Sequence, residues 1–419
     1  MSNKIHNLLR ESSTTGSSAN GRPDLVGLTR ATNSLIYSDL VAIQPTSQPE
    51  ATLYGVKYLD PNGVMPFLTP ATYSGEVNSR ENIEELDLTK SYTKGELFKY
   101  KDTVYKVTSD NPFDGLAGTT PLDGLGQAIV DGKIRFMSDA ALTGHFEQKE
   151  VEIAECGIKL DRWAAQVRTR KVKTELTVEF AQDLEANQFD ADATIEDMLS
   201  IILASDINKD IIQKLVTVSS RYRVKGVSDK GMLDLTQADN SPEQGRKLYR
   251  YICEMNGSIE QNTSFKGTYV LASARCVALL SASGWMKKST EYPLADGILK
   301  NGLPVYSDPL SPFDYVVVGT KQNLGDLEHI GSLFYAPYVD MDEAGSYRVV
   351  VDPTSLQPKL ALMVRYALSV NPYTSIDADD NLNKASLIKG DDWDNLVGKS
   401  KMSYLLGVKL PPLVDDSTP

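Results

Sequence analysis

Residues 360–370 read Leu360-Ala361-Leu362-Met363-Val364-Arg365-Tyr366-Ala367-Leu368-Ser369-Val370. Side chains of a strand point alternately to its two sides. Leu360, Leu362, Val364, Tyr366, Leu368 and Val370 therefore make one unbroken apolar face. The alternation spans ~36 Å, about twice the length of an ordinary strand, and suits the backbone of a flat plate. Upstream, Ile195, Leu199 and Ile202, then Leu203, Ile207, Ile211, Leu215 and Val218, recur at helical spacing for ~6 turns. One side of that long helix must be buried, and with the long strand it makes the fold class mixed α/β.

The neighbouring sequence fills in this frame. A helix is expected over 242–259, with Pro242 near its start and Leu248, Ile252, Met255 and Ile259 aligned. A strand at 269–271 leads into a helix over 273–285 that ends near Gly284. Further strands are expected at 51–58, 305–306, 315–318, 333–335, 347–351 and 405–410. Residues 61–137 have a different character, short strands and turns, with 115–118 and 121–126 read as turns. Their clearest unit is a hairpin, 97–100 and 104–107 about Lys101-Asp102-Thr103, placing Phe98, Tyr100, Tyr105 and Val107 on one face. Exposed rings could stack on sugar, but a unit this small needs them for its own core.

Composition excludes several classes. With 56 acidic against 43 basic residues the net charge is −13, which argues against general attraction to nucleic acid or anionic membrane. Cys156, Cys253 and Cys276 have no close spacing, so neither a disulfide framework nor a CxxC motif is present. His6, His145 and His329 lack acidic or Cys neighbours at liganding spacing, and no phosphate-binding glycine loop follows a strand. Asp379-Asp380 and Asp391-Asp392 are paired acids of the kind usually solvated. No catalytic residue, metal or cofactor is expected. No apolar run approaches the ~18 residues of a membrane span, and the first residues lack a signal peptide's apolar core.

At the N-terminus, Ile5, Leu8 and Leu9 would share one small helical face, and the stretch from Ser12 to Gly21 buries almost nothing. A frayed terminus and a removable head both fit. Between Ile153 and Val178 the chain passes Trp163 and the basic alternation Arg168-Thr169-Arg170-Lys171-Val172-Lys173. A strand lapped on a neighbour's acidic surface and a solvated edge strand whose charges block aggregation are the first two readings, and DNA binding is the third, since the run is isolated within an acidic chain.

Residues 1 to about 410 resemble, throughout, the capsid vertex proteins of T-even-type tailed phages. The stretches that carry the resemblance include Asn7-Leu8-Leu9-Arg10-Glu11-Ser12, Leu28-Thr29-Arg30-Ala31-Thr32, Leu35-Ile36-Tyr37-Ser38-Asp39, Ala181-Gln182-Asp183-Leu184-Glu185-Ala186-Asn187, Val364-Arg365-Tyr366-Ala367-Leu368-Ser369 and Leu405-Leu406-Gly407-Val408-Lys409-Leu410-Pro411. The resemblance implies a Hong Kong 97-type capsid fold with an insertion domain of chitin-binding type in its extended loop. It implies a propeptide at 1–11, cut at Leu9-Arg10-Glu11-Ser12 after Glu11 by a prohead protease, and an N-terminal arm at 12–49. Another tripeptide of that form, Ile83-Glu84-Glu85, must then be protected by folding. The extended loop is expected at 50–178 with its insertion at 61–137, and the spine helix within 179–224. An axial domain would take 225–265 and 295–345, and a peripheral domain 266–294 and 346–419.

The implied function is structural: a homopentamer at the vertices of a phage head, contacting major capsid protein hexamers. Internal scaffold and protease would act during assembly, and decoration proteins could bind outside. The virion is the location, assembly is in the cytoplasm, and no specific nucleic acid or membrane is a partner. Arg162, Arg168, Arg170, Lys171 and Lys173 are the candidate inter-subunit contacts, and Phe98, Tyr100 and Tyr105 the candidate aromatics of the insertion. A hexamer-forming major capsid protein of the same phages is the first alternative, although the resembled major protein carries a much longer propeptide. A carbohydrate-binding decoration protein is the second.

Overall fold

The computed structural model describes residues 35–59, 74–77, 82–100, 103–114, 120–148, 151, 153–175, 177–179, 182, 191–236, 241–323, 329–339, 347–351, 357–371 and 390–412.

The long strand runs from Pro358–Val370, and its even-numbered residues from Leu360 to Val370 are buried. Residues 359–366 pair antiparallel with Arg168–Glu175 along one edge. The other edge is shared, 358–362 with Tyr347–Val351 and 365–370 with Leu333–Val339. Against this sheet lies the spine helix, Ala191–Val218. Its Ile195, Leu199, Leu203, Ile207, Ile211, Ile212, Leu215 and Val218 join Leu360, Leu362, Val364 and Tyr366 in one core. Eight aliphatic side chains contribute on the order of 12–24 kcal/mol of gross transfer free energy, far more than helix propensity, and chain entropy offsets most of it. Leu203 enters the core and Ile202 is only half-buried, because 199, 203, 207, 211 and 215 form a single i+4 ridge.

The second sheet has eight strands and explains two continuous apolar runs. In Tyr269–Ser273 and Tyr315–Gly319 every residue is buried. Tyr269, Leu271, Tyr315 and Val317 face the spine-helix core. Val270, Ala272, Val316 and Val318 face a separate core under the helices Ser241–Thr263 and Ala274–Ala282. A sheet covered on both faces has no polar side to show, so alternation disappears from its sequence. Leu248, Ile252, Met255 and Ile259 are fully buried on the first of these helices, as its periodicity predicts. The second stops before Gly284, whose φ of +75° suits a residue without a Cβ.

Hydrogen bonding groups the strands differently from the expected boundaries. Tyr269–Ser273, expected in the peripheral part, sits inside the eight-stranded sheet between Pro304–Asp308 and Tyr315–Gly319. Ser400–Lys409 belongs to the same sheet. Leu333–Val339, expected in the axial part, instead pairs with the long strand. Strand partners far apart in the chain leave no mark on local sequence, so the sheet to which each strand belongs is not legible in element order.

In the part of the expected arm that is described, Ile36, Leu40 and Val41 enter the spine-helix core, and Ala42–Ile43 pairs in parallel with residues 334–335. Residues 121–126, read as turns, begin an α-helix, Pro121–Val130. The Thr120 hydroxyl caps it by accepting from the Asp123 amide at 3.3 Å, Pro121 supplies the first-turn φ, and Leu125 and Ala128 are buried. Capping and burial outweigh the cost of Gly124 and Gly126, roughly 1 kcal/mol each.

Candidate inter-subunit surface

Two strands, Glu50–Leu59 and Gly157–Gln166, pair over ten residues into a ribbon ~33 Å long. Its base is anchored. Leu53 and Trp163 pack with Ala42 and Phe334, and Ala51 and Ala165 pack with Ala336 and Ala367. The Trp163 indole N–H donates to Ser369 Oγ at 3.2 Å. On the opposite face of the ribbon, Tyr54 is 62% exposed and Ile158 74%. A lone two-stranded ribbon is marginal in water, so apolar side chains there are available to a second surface. The backbone sets Arg162 opposite Tyr54; its side chain lies outside the described residues.

The basic run divides by strand parity. Residues opposite buried positions of the long strand face inward, so Arg168 and Arg170 point to the spine helix and residues 391–393. Arg170 Nε donates to the Tyr366 hydroxyl at 2.6 Å, its Nη2 lies 3.1 Å from Asp210 Oδ2, and Tyr366 donates to the same carboxylate at 2.7 Å. Burial, then the acceptor Asp210, raises the Tyr366 phenol well above its ordinary value. Arg168 reaches Asp391 at 3.5 Å. Two of the five basic candidates are thus engaged inside the subunit.

Lys171 and Lys173 face the other way, opposite Met363 and Ala361, and are exposed. Arg348 stands opposite Ala361 from the far side, and Arg365 lies 4.8 Å over the Tyr338 ring. Only Glu175, 3.0 Å from Lys359, is acidic on this face among the described residues of the three strands. The edge strand beside it exposes Val349, Val350 and Val351 by half or more. The result is a basic plate with an apolar border.

In the insertion, Phe98 and Tyr105 are directly opposite and stacked, with ring centroids 5.4 Å apart. Both are buried with Tyr92, Phe113 and Leu125, and Tyr100 packs half-buried beside them. The pairing of Tyr100 with Thr103 shortens the expected loop to residues 101–102. The rings form a core, so Phe98 and Tyr105 present no face to a sugar. The tripeptide at 83–85 is tied to this sheet: the Lys99 amide donates to the Glu84 carbonyl and the Leu86 amide to the Lys99 carbonyl, both at 2.9 Å. Leu9, Arg10, Glu11 and Ser12, and the pair Asp379-Asp380, lie outside the described residues. Among the described residues no three His, Cys, Asp or Glu side chains are grouped to hold a metal, and no helix is long and apolar enough to cross a membrane.

A plate of two sheets spanned by one long helix, with a ribbon and an exposed basic face at its margin, has the architecture of a phage capsid subunit, and residues 18–408 match the family described as major capsid protein Gp23. The chain belongs to this family, and its mixed α/β fold is that of a capsid protein of the virion. Among its relatives, the capsid vertex protein of Enterobacteria phage T4 is 50% identical over 428 residues, covering 99% of each chain. The capsid vertex protein of Vibrio phage KVP40 is 34% identical over 60% of this chain and 80% of its own. The major capsid protein of Enterobacteria phage T4 is 25% identical over 84% of this chain and 75% of its own. The capsid of Myoviridae phage XM1 superposes with a TM-score of 0.44 at 7% identity, over 96% of this chain and 98% of that one.

Proposed function

We propose that five copies of this chain close a ring at the icosahedral vertices of a tailed-phage head and contact hexamers of the major capsid protein. The observation that carries this reading is the contrast of 50% identity to a capsid vertex protein over almost the whole chain with 25% to a major capsid protein. The family description favours the hexamer-forming alternative, but the twofold difference in identity outweighs it.

A ring joins one surface of each subunit to a different surface of the next. The ribbon's exposed face, with Tyr54 and Ile158, and the plate bearing Lys171 and Lys173 are suited to those two roles. Processing belongs to the same proposal: cleavage between Glu11 and Ser12 frees residues 1–11, whose Ile5, Leu8 and Leu9 face holds the precursor to the internal scaffold. Cryo-EM of intact heads tests the placement, with density for this chain expected at five-fold positions; density only at quasi-six-fold positions refutes it. Glu11→Ala is expected to leave the uncut precursor in purified heads, and normal processing of that variant moves the site elsewhere.

A further inference from the structure

The strand Tyr347–Val351 pairs with residues 358–362 along one edge. Its other edge meets no strand among the described residues. A row of backbone N–H and C=O groups is open there, and such a row is a template for an added strand. Apolar side chains border it on both faces of the sheet. Val349 and Val351, opposite Leu360 and Pro358, lie on the core side and are 50% and 55% exposed; Val350, opposite Lys359 on the plate side, is 59% exposed. Proteins commonly blunt an open edge with charge or proline. Here Arg348 is the one charge on the strand.

The charges beside this edge define what it accepts. Arg348 and Lys173 both stand opposite Ala361, so the two cations and the alanine form one row across the sheet. Both cations are exposed, and neither makes an ion pair among the described residues. A strand added beside 347–351 sets alternate side chains next to Arg348 on the plate side and next to Val349 and Val351 on the other. Opposite charges facing each other across strands attract, and like charges repel. A second copy has little to offer from this sheet: its open edge 168–175 carries four cations against Glu175, and 347–351 brings another Arg348.

We propose that the edge 347–351 receives, as an added strand, an extended segment of a protein other than this chain in which carboxylates alternate with apolar side chains. Its carboxylates lie beside Arg348, and its apolar side chains lie against Val349 and Val351. Main-chain hydrogen bonds supply the attachment, and the alternation supplies the selectivity. Cations alone would accept any acidic surface; the open backbone restricts the partner to one that can be extended. The ring is not needed for this, because the edge stands open in a single subunit.

Calorimetric titration of the full chain with a synthetic heptapeptide of alternating valine and glutamate tests this, with hydrogen exchange followed in parallel. The heptapeptide is expected to bind saturably and to slow exchange at 347–351 while leaving 241–263 unchanged. Replacing its glutamates by lysine, or methylating its backbone amides, should weaken binding roughly tenfold. Arg348→Glu should reverse the charge preference and favour the lysine peptide. Absence of saturable binding overturns the proposal. So does equal binding of the lysine peptide, which removes the charge selectivity, or of the methylated peptide, which removes the added strand. A glutamate preference that survives Arg348→Glu places the peptide elsewhere on the molecule and also refutes it. Exchange at 347–351 that slows with protein concentration in the absence of peptide assigns the edge to a second copy, against the proposal.

Discussion

Arg170 and Lys171 are consecutive in sequence and meet opposite environments. Arg170 shares Asp210 with Tyr366 beneath the sheet, while Lys171 stands in solvent above it. A strand's twofold period makes that division, and the sequence hints at it, because the apolar Val172, which packs against the core, has the parity of Arg168 and Arg170. It could not show which carboxylate would lie under Arg170, since Asp210 comes from a helix that only the tertiary fold brings near. A pH dependence also belongs at this scale. The Tyr222 hydroxyl donates to Glu254 at 3.1 Å, and burial followed by that carboxylate pushes its pKa up to about 12. The unfolded phenol ionises near ~10. Its contribution to stability is complete below that value and is lost as pH rises through the folded pKa. Burial pushes the Cys276 thiol up to about 11, with the same sign. The melting temperature is expected to fall between about pH 10 and 12, less steeply in Tyr222→Phe; parallel curves for the two proteins would remove Tyr222 from the explanation.

Among the elements, the helix Ser241–Thr263 carries two glycines with opposite expectations. A Cβ on Gly245 would meet the Leu279 carbonyl oxygen at 2.2 Å, where this helix crosses Ala274–Ala282. A Cβ on Gly257 meets nothing within 4 Å. Alanine is favoured over glycine in a helix by ~1 kcal/mol. Gly257→Ala should therefore stabilise by about that amount, whereas Gly245→Ala should destabilise by ~1–3 kcal/mol, as overpacking typically does. Denaturant unfolding of both variants checks the pair, and stabilisation by Gly245→Ala would mean the two helices can part without loss. Elements with a strong period were readable from sequence: the spine helix, the helix over 241–263 and the long strand. The helix Pro121–Val130 is obscured in the sequence by Gly124 and Gly126, which read as turn residues beside its start signals Thr120, Pro121 and Asp123.

At the scale of the whole molecule, stability and assembly draw on different faces. Lys171 and Lys173 have no ion-pair partner among the described residues, and exposed substitutions usually change stability by less than ~0.5 kcal/mol. Lys171→Glu/Lys173→Glu is expected to melt within about 2 °C of the native chain while losing incorporation into heads. Full incorporation of the double variant would show that the basic plate is not a contact. Arg170→Glu is the contrasting case, because it sets a second carboxylate beside Asp210 and should lower the melting temperature.

The sequence by itself determined the two long periodic elements and the burial of their apolar faces. Those features rest on local periodicity and residue chemistry, which linear order preserves, whereas the capsid character was carried by resemblance to a known family and not by any period or spacing. Only the tertiary structure decided that residues 269–273 and 400–409 share a sheet, that 333–339 joins the long strand, and that Arg168 and Arg170 are paired within the subunit. Each of these depends on contacts between residues tens to hundreds of positions apart, whose geometry is set by packing.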